Sequence, residues 1–367
     1  MGLLFAALLL CSVLEVTIAA SLKVPPVPEY IVGAYASWGQ CDEKMLKAVD
    51  DGANVLFWFS VNLECDPAGN PVFGGALPSV ECIRNIQKQL VDKSFENIVH
   101  LVSIGGWNAA HPCKSHEASE WFTAFHKWNC DIGFLFHGID WDLEGNDNLD
   151  NSNNQFSRHT LLLMADLSKL MKSNGYIVAM APAESYLDPN TGIFSSDVTW
   201  PPLNPWHQDF TYTGRNVYAF AIARAGIETF DFISIQLYEG YSGANYAMNE
   251  MGTSAKEYVD QLMLKFSTGW YVDFSHFDAD LGSRKISISN KKLVIGLGNA
   301  WTSRPGKFLF IDPQSELSNL LVLPRGFMFW DIADEYRVIG SRSYCFACLL
   351  SKIPSRKDCN KIVVSDS

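Results

Sequence analysis

Eight apolar stretches recur between residues 30 and 332. They read YIVGAY, NVLFWFSV, NIVHLVSIGG, GFLFHGIDWDLE, YIVAMAP, FDFISIQLY, KLVIGLG and RGFMFWDI. Each is rich in Val, Ile, Phe and Tyr, and several show no polar alternation over their first half, as strands buried on both faces do. Between them, apolar residues fall at helical spacing over 41–52, 78–93, 115–133, 154–175, 215–226 and 254–269. The segment 154–175 places Leu161, Met164, Ala165, Leu167, Leu170 and Met171 on one side. A short helix is expected over 315–321 and a final one from 334 to 341. Eight strands alternating with helices predict parallel βαβ units. The expected fold is a single-domain α/β chain closed into a (β/α)8 TIM barrel over residues 30–341. An open doubly wound sheet is the alternative, but Gly33, Gly39 and Gly52 do not form the phosphate-binding loop such a sheet carries after its first strand. The long segment after the fifth strand, 185–213, holds Tyr186, Phe194, Trp200, Trp206, Phe210 and Tyr212 and is expected on the C-terminal rim, where barrel active sites lie.

Composition narrows the partners. The chain has 367 residues, enough for one large barrel, and 48% are hydrophobic, enough for a sizeable core. A formal net charge of -12 argues against nucleic acid or an anionic membrane surface, which require a basic face. Residues 3–10 form a compact apolar run followed by Ala19 and Ala20, which reads as a signal peptide over 1–20. The run is shorter than the ~20 residues of a membrane span, so no stable membrane insertion is expected. Residues 21–29 read as a Pro-rich extended linker. Cys11 leaves with the signal, and eight cysteines remain: Cys41, Cys65, Cys82, Cys113, Cys130, Cys345, Cys348 and Cys359. An even set in an exported chain implies disulfides, with pairing left open. Cys345 and Cys348, alone a metal or redox motif, are expected with Cys359 nearby to fasten the tail 342–367 by a disulfide. A secreted, extracellular monomer is expected, and no Asn-x-Ser/Thr sequon is present.

The most informative segment is FHGIDWDLEG, residues 136–145. Strand side chains alternate faces, so Asp140, Asp142 and Glu144 share one face and Ile139, Trp141 and Leu143 the other. In a parallel barrel the apolar set packs on helices and the acids point into the barrel mouth. Clustered, buried carboxylates raise one another's pKa, and a carboxyl still protonated near neutral pH is what a general acid requires. A solvated acidic strand end or a calcium site is the plainer alternative, but calcium takes its ligands from a turning loop.

This segment resembles the catalytic strand signature of family 18 glycoside hydrolases, D-G-x-D-x-D-x-E, with Gly138, Asp140, Asp142 and Glu144 in register. His137 stands at the first Asp of that pattern, on the helix-facing parity, so its effect is expected on packing more than on chemistry. SIGG (103–106, including Gly106) resembles the family's third strand, MAP (180–182, including Met180) its fifth and QLY (236–238) its sixth. Tyr238 falls at the family's catalytic tyrosine and Trp330 at the tryptophan that floors the sugar subsite. Gln236, Tyr35 and Phe59 fall near further site positions, and Glu239 replaces the usual Asp or Asn. The resemblance implies hydrolysis of β-1,4-linked N-acetylglucosamine in chitin or chito-oligosaccharides. The implied mechanism is substrate-assisted and retaining, with Glu144 as acid and base, Asp142 and Asp140 behind it, and no metal or organic cofactor. An endo-β-N-acetylglucosaminidase acting on N-glycans and a non-catalytic chitin-binding lectin on the same barrel are the alternatives. Only about twenty-five residues separate the seventh and eighth strands, which leaves no room for an inserted module and suggests an open, endo-acting cleft. Considered alone, Met180 and Trp330 would read as core and Gln236 as a buried polar filler. His111 and His116 read as a solvated pair rather than metal ligands.

Overall fold

All eight apolar stretches form strands, and neighbouring strands run parallel. The computed structural model describes residues 22–198, 215–303 and 308–354. Numbering only the barrel strands, they are β1 (Ile31–Tyr35), β2 (Val55–Cys65), β3 (Val99–Gly106), β4 (Gly138–Leu143), β5 (Ile177–Met180), β6 (Phe232–Gln236), β7 (Leu293–Gly298) and β8 (Gly326–Trp330). Consecutive strands pair in order, and β8 and β2 both pair with β1, which closes the ring. The closing registers are Ile31 on Gly326 and Gly33 on Val55.

Strand alternation divides the apolar residues into two layers. Ile31, Tyr35, Phe57, Leu101, Ala179, Phe232 and Met328 fill the barrel interior. Val32, Trp58, Val102, Trp141, Val178 and Phe329 face outward into a larger core shared with the helices. Those helices are α1 (Glu43–Asp50), α2 (Val80–Asp92), α3 (Ala118–Asp131), α4 (Arg158–Ser173), α5 (Val217–Ala225) and α6 (Ala255–Thr268). Their starts follow from local chemistry: the side chains of Asp42, Ser79, Ser157 and Ser254 each accept a first-turn N–H, and Glu117 and Glu120 form a capping box. At Gly138 the neighbouring strand comes so close that a Cβ would lie 1.9 Å from the Ile177 carbonyl, which only glycine permits.

Several expectations fail locally. The helix expected over 315–321 is instead one turn, Pro313–Glu316, started by Asp312 and a proline at its first position. No helix fills 334–341: a 3-10 turn at Ile332–Asp334 leads to a small hairpin pairing Val338–Ile339 with Arg342–Ser343. Gly340 turns that hairpin at φ +62°, a conformation glycine reaches without cost. The stretch expected as a linker is seated on the barrel: Val24 and Val27 pack on the interior core, and Arg325 donates to the Pro28 carbonyl. The tail likewise joins the fold through the helix Phe346–Leu350, where Tyr30 Oη donates to the Leu350 carbonyl.

Three disulfides occur among the described residues: Cys41–Cys82, Cys65–Cys113 and Cys345–Cys348. The last joins its two cysteines to each other rather than fastening the tail to the barrel. The expected signal peptide, Trp200, Trp206, Phe210, Tyr212 and Cys359 lie outside the described residues. No helix among the described residues is long and apolar enough to cross a membrane.

Candidate active site

Strand β4 carries the acids to the C-terminal mouth of the barrel. Asp140, Asp142 and Glu144 are 0%, 4% and 6% exposed, while Ile139, Trp141 and Leu143 sit in the helix-facing core. Asp140 lies deepest. It accepts hydrogen bonds from Tyr35 Oη (2.6 Å) and Ser103 Oγ (3.0 Å), so the first and third strands both brace it. Burial pushes its pKa up to about 7 against the lowering effect of those two bonds. Asp142 accepts from Gln236 Nε2 at 2.7 Å, and the same amide nitrogen donates to the Ala181 carbonyl at 2.6 Å.

The carboxyls of Asp142 and Glu144 lie side by side and shift one another. Burial raises Asp142 well above the carboxylate range, and the charges of Glu144 and Asp140 raise it further. Burial pushes Glu144 up to about 7. Both carboxyls are thus shifted toward their protonated forms relative to exposed acids. Glu144 Oε2 is buried and makes no hydrogen bond to protein.

Above the acids opens a cleft of about 320 Å³. Asp142, Glu144, Tyr238 and Trp330 all line it, together with Phe59 and Glu239. Glycine makes this wall possible: at Gly106 a Cβ would strike the Phe59 ring at 2.2 Å, and at Gly105 the Asp142 carbonyl at 2.7 Å. The Phe59 ring in turn meets Trp330 edge-on at 4.6 Å. The Trp330 carbonyl accepts from Trp301 Nε1 at 2.7 Å and from Asn299 N at 3.0 Å, which fixes the end of β8. Burial raises the Tyr238 hydroxyl well above its usual pKa, with the acids around it adding to the effect, so it remains a donor.

Three expected ligand contacts lie elsewhere. Met180 belongs to the helix-facing core, because parity turns Ala179 and Ala181 inward instead. Tyr35 is buried beneath the cleft and holds Asp140 rather than lining the opening. Gln236 also lies below the opening, on Asp142. His137 is on the helix side as parity requires: its Nδ1 accepts from the His100 main-chain N–H at 3.0 Å, while His100 Nδ1 accepts from Trp58 Nε1.

Sequence reasoning missed part of the wall: Trp38, Trp107, Asp147, Tyr241, Trp301 and Phe308 line it as well. Trp107 directly follows β3 and Trp301 stands three residues beyond β7. An aromatic just past the C-terminal end of a barrel strand was the available signal. The His111–His116 pair was misread as solvated. His111 Nε2 lies 2.8 Å from the Glu144 carbonyl and its ring packs on Phe156, whereas His116 contacts the Gly69 carbonyl and Glu120. Among the described residues, the two clusters with metal-ligand spacing are Cys65–Cys113–His116 and Asp51–Cys345–Cys348, and disulfides occupy the cysteines of both.

No family profile matches the sequence, and no curated protein matches it significantly. Solved structures do match in fold. The Legionella pneumophila ChiA C-terminal domain aligns with a TM-score of 0.58 at 14% identity, covering 88% of this chain and 97% of that one. A GH18 chitinase from Pseudoalteromonas aurantia aligns at 0.53 and 12% identity, covering 89% and 99%. The catalytic domain of a hyperthermophilic chitinase from Pyrococcus furiosus aligns at 0.53 and 12%, covering 92% and 98%. The chain thus has the (β/α)8 barrel fold of these proteins over nearly their whole length.

Proposed function

We propose that the protein is a secreted, retaining glycoside hydrolase that cleaves β-1,4-linked N-acetylglucosamine polymers, chitin or chito-oligosaccharides, with Glu144 as acid and then base. The observation that carries this reading is the buried pair Asp142 and Glu144 at the mouth of the barrel, lining one cleft with Tyr238 and Trp330.

The cleft supports each step. A pyranose ring stacks on the indole of Trp330, which lines the cleft at the end of β8. Glu144, protonated near neutral pH, gives its proton to the glycosidic oxygen through the unpartnered Oε2. A two-carboxylate mechanism would need an ionised nucleophile across the bond. Glu239 also lines the cleft, but burial and the charge of Glu144 raise its pKa well above the carboxylate range, so it is a poor anionic nucleophile. The substrate's own 2-acetamido oxygen takes that role. Asp142, held by Gln236 and backed by Asp140, orients the acetamido group through a hydrogen bond with its N–H. Tyr238 donates to the acetamido oxygen. Glu144, now ionised, activates the incoming water, and the configuration is retained.

The disulfides fit an oxidising compartment. Among the described residues, the segment between β7 and β8 holds only a 3-10 turn and one helical turn, which favours an open cleft and endo action. Hydrolysis of a fluorogenic chitotrioside, set against glycan release from a model glycoprotein, tests the assignment. Cleavage of the chitotrioside alone is expected. Glycan release alone would assign the endo-β-N-acetylglucosaminidase activity instead, and sugar binding without any turnover would assign a lectin.

A further inference from the structure

We infer that His111 is a positioning residue that fixes the backbone of Glu144 and thereby aims its carboxyl into the cleft. The inference rests on the proposed role of Glu144. The last rungs that hold β4 are Gly106 on Leu143 toward β3 and Trp141 on Met180 toward β5. Glu144 is the first residue beyond both, so the strand ladder supplies no donor for its carbonyl. An acceptor left bare at a buried position is costly, and side chains from other segments must satisfy it. Tyr218 Oη donates to the Leu143 carbonyl at 3.0 Å, and Asn108 N donates to that of Gly145 at 3.0 Å. Between them, the Glu144 carbonyl receives His111 Nε2 at 2.8 Å.

A carbonyl only accepts, so Nε2 must carry the proton. The neutral ring does this in one tautomer, and burial pushes the His111 pKa down to about 4, so the same tautomer persists through the neutral range. The loop that presents the ring is itself anchored. His111 N donates to Asn153 Oδ1 at 3.3 Å, Asn153 Nδ2 donates to the Ala109 carbonyl at 2.9 Å, and the ring packs on Phe156 with centroids 4.6 Å apart. The Glu144 peptide is thus clamped from the β3 side by a rigid donor, which holds its Cα and limits where its carboxyl can reach.

The experiment compares the wild type with His111→Phe, which keeps a packed ring and removes the donor, and with His111→Gln, whose amide nitrogen reaches close to the place of Nε2. Chitotrioside turnover, chitotetraose binding and a 13C titration of the Glu144 carboxyl are measured for all three. We expect His111→Phe to lose on the order of 10²-fold in kcat, the cost of an ångström-scale misplacement. KM and chitotetraose affinity should stay within about twofold, since sugar contacts are unaltered. His111→Gln should recover most of the rate. The Glu144 midpoint should fall in His111→Phe as the freed strand end admits water, while the groups that face it, Asp142 on its own strand and Glu239 beyond β6, are the same in every variant. Wild-type kcat in His111→Phe, or a Gln variant as impaired as the Phe variant, overturns the inference. The titration is independent of turnover: if the wild type does not hydrolyse the chitotrioside, the functional proposal fails, and the inference about His111 still stands or falls on whether the Glu144 midpoint moves.

Discussion

The behaviour of Glu144 is set by what surrounds its carboxyl rather than by the residue type. Burial removes water, the carboxyl of Asp142 lies beside it, and among the described lining side chains no cation pulls its pKa back down. The same logic applies to His137, which lies on the opposite parity. Its ring takes a main-chain N–H from His100 on the helix side, a bond that an aspartate can also accept. His137→Asp should therefore change kcat by no more than about threefold in a chitotrioside assay; a loss or gain of ten times that size would show that this position communicates with the acids. The alternation of acids and apolar residues along 139–144 was legible in the sequence, because strand parity is a local rule. The supports were not. Tyr35 reaches Asp140 across 105 residues and His111 reaches Glu144 across 33, and such pairings depend on how strands and loops meet. Met180 shows the limit of motif reading: its place in the motif suggested the site, and parity placed it outside the wall.

At the scale of elements, strands and capped helices could be read because each has its own chemical signal. The eight apolar runs and the Ser or Asp caps are written locally. The segment 334–341 was misread because its apolar spacing is short, whereas Gly340 and the pairing of Val338–Ile339 with Arg342–Ser343 decide for a hairpin. Close strand packing makes a sharper prediction. Gly138 begins β4 beneath the Ile177 carbonyl, so Gly138→Ala must push β4 and β5 apart. Denaturant unfolding should show a loss of roughly 1–3 kcal/mol, the range of overpacking. Because the displaced strand carries Asp140 and Asp142, kcat should fall as well. An alanine variant as stable as the wild type would mean that the two strands are not apposed in this register.

For the whole molecule, the buried carboxyls make stability depend on pH. Asp140, Glu144, Glu184 and Glu335 are each pushed up to about 7, and Asp142 is raised further, burial being the leading cause in every case. An unfolded chain releases these protons in the ordinary carboxylate range, near 4. Between about 4 and 7 these acids bind more protons in the folded state than in the unfolded state; the buried rings of His100, His111 and His137, held below their usual pKa, act the opposite way but are fewer, so unfolding free energy should fall as pH rises through that window. Thermal melts should give a higher Tm at pH 5 than at pH 8. A Tm that climbs over the same interval would mean that these acids are ionised in the folded protein. Activity should decline on the alkaline side for a related reason, as Glu144 loses the proton it must donate.

The most direct test of the account sets the wild type beside Glu144→Gln, which keeps the shape of the side chain and removes its acid. Chitotrioside turnover and chitotetraose affinity are measured on both folded proteins. The account predicts hydrolysis by the wild type, a fall in kcat on the order of 10²–10⁴-fold in the variant, and binding that is nearly unchanged. A glutamine variant that turns over at the wild-type rate, or a wild-type protein that binds the sugar and never cleaves it, would contradict it.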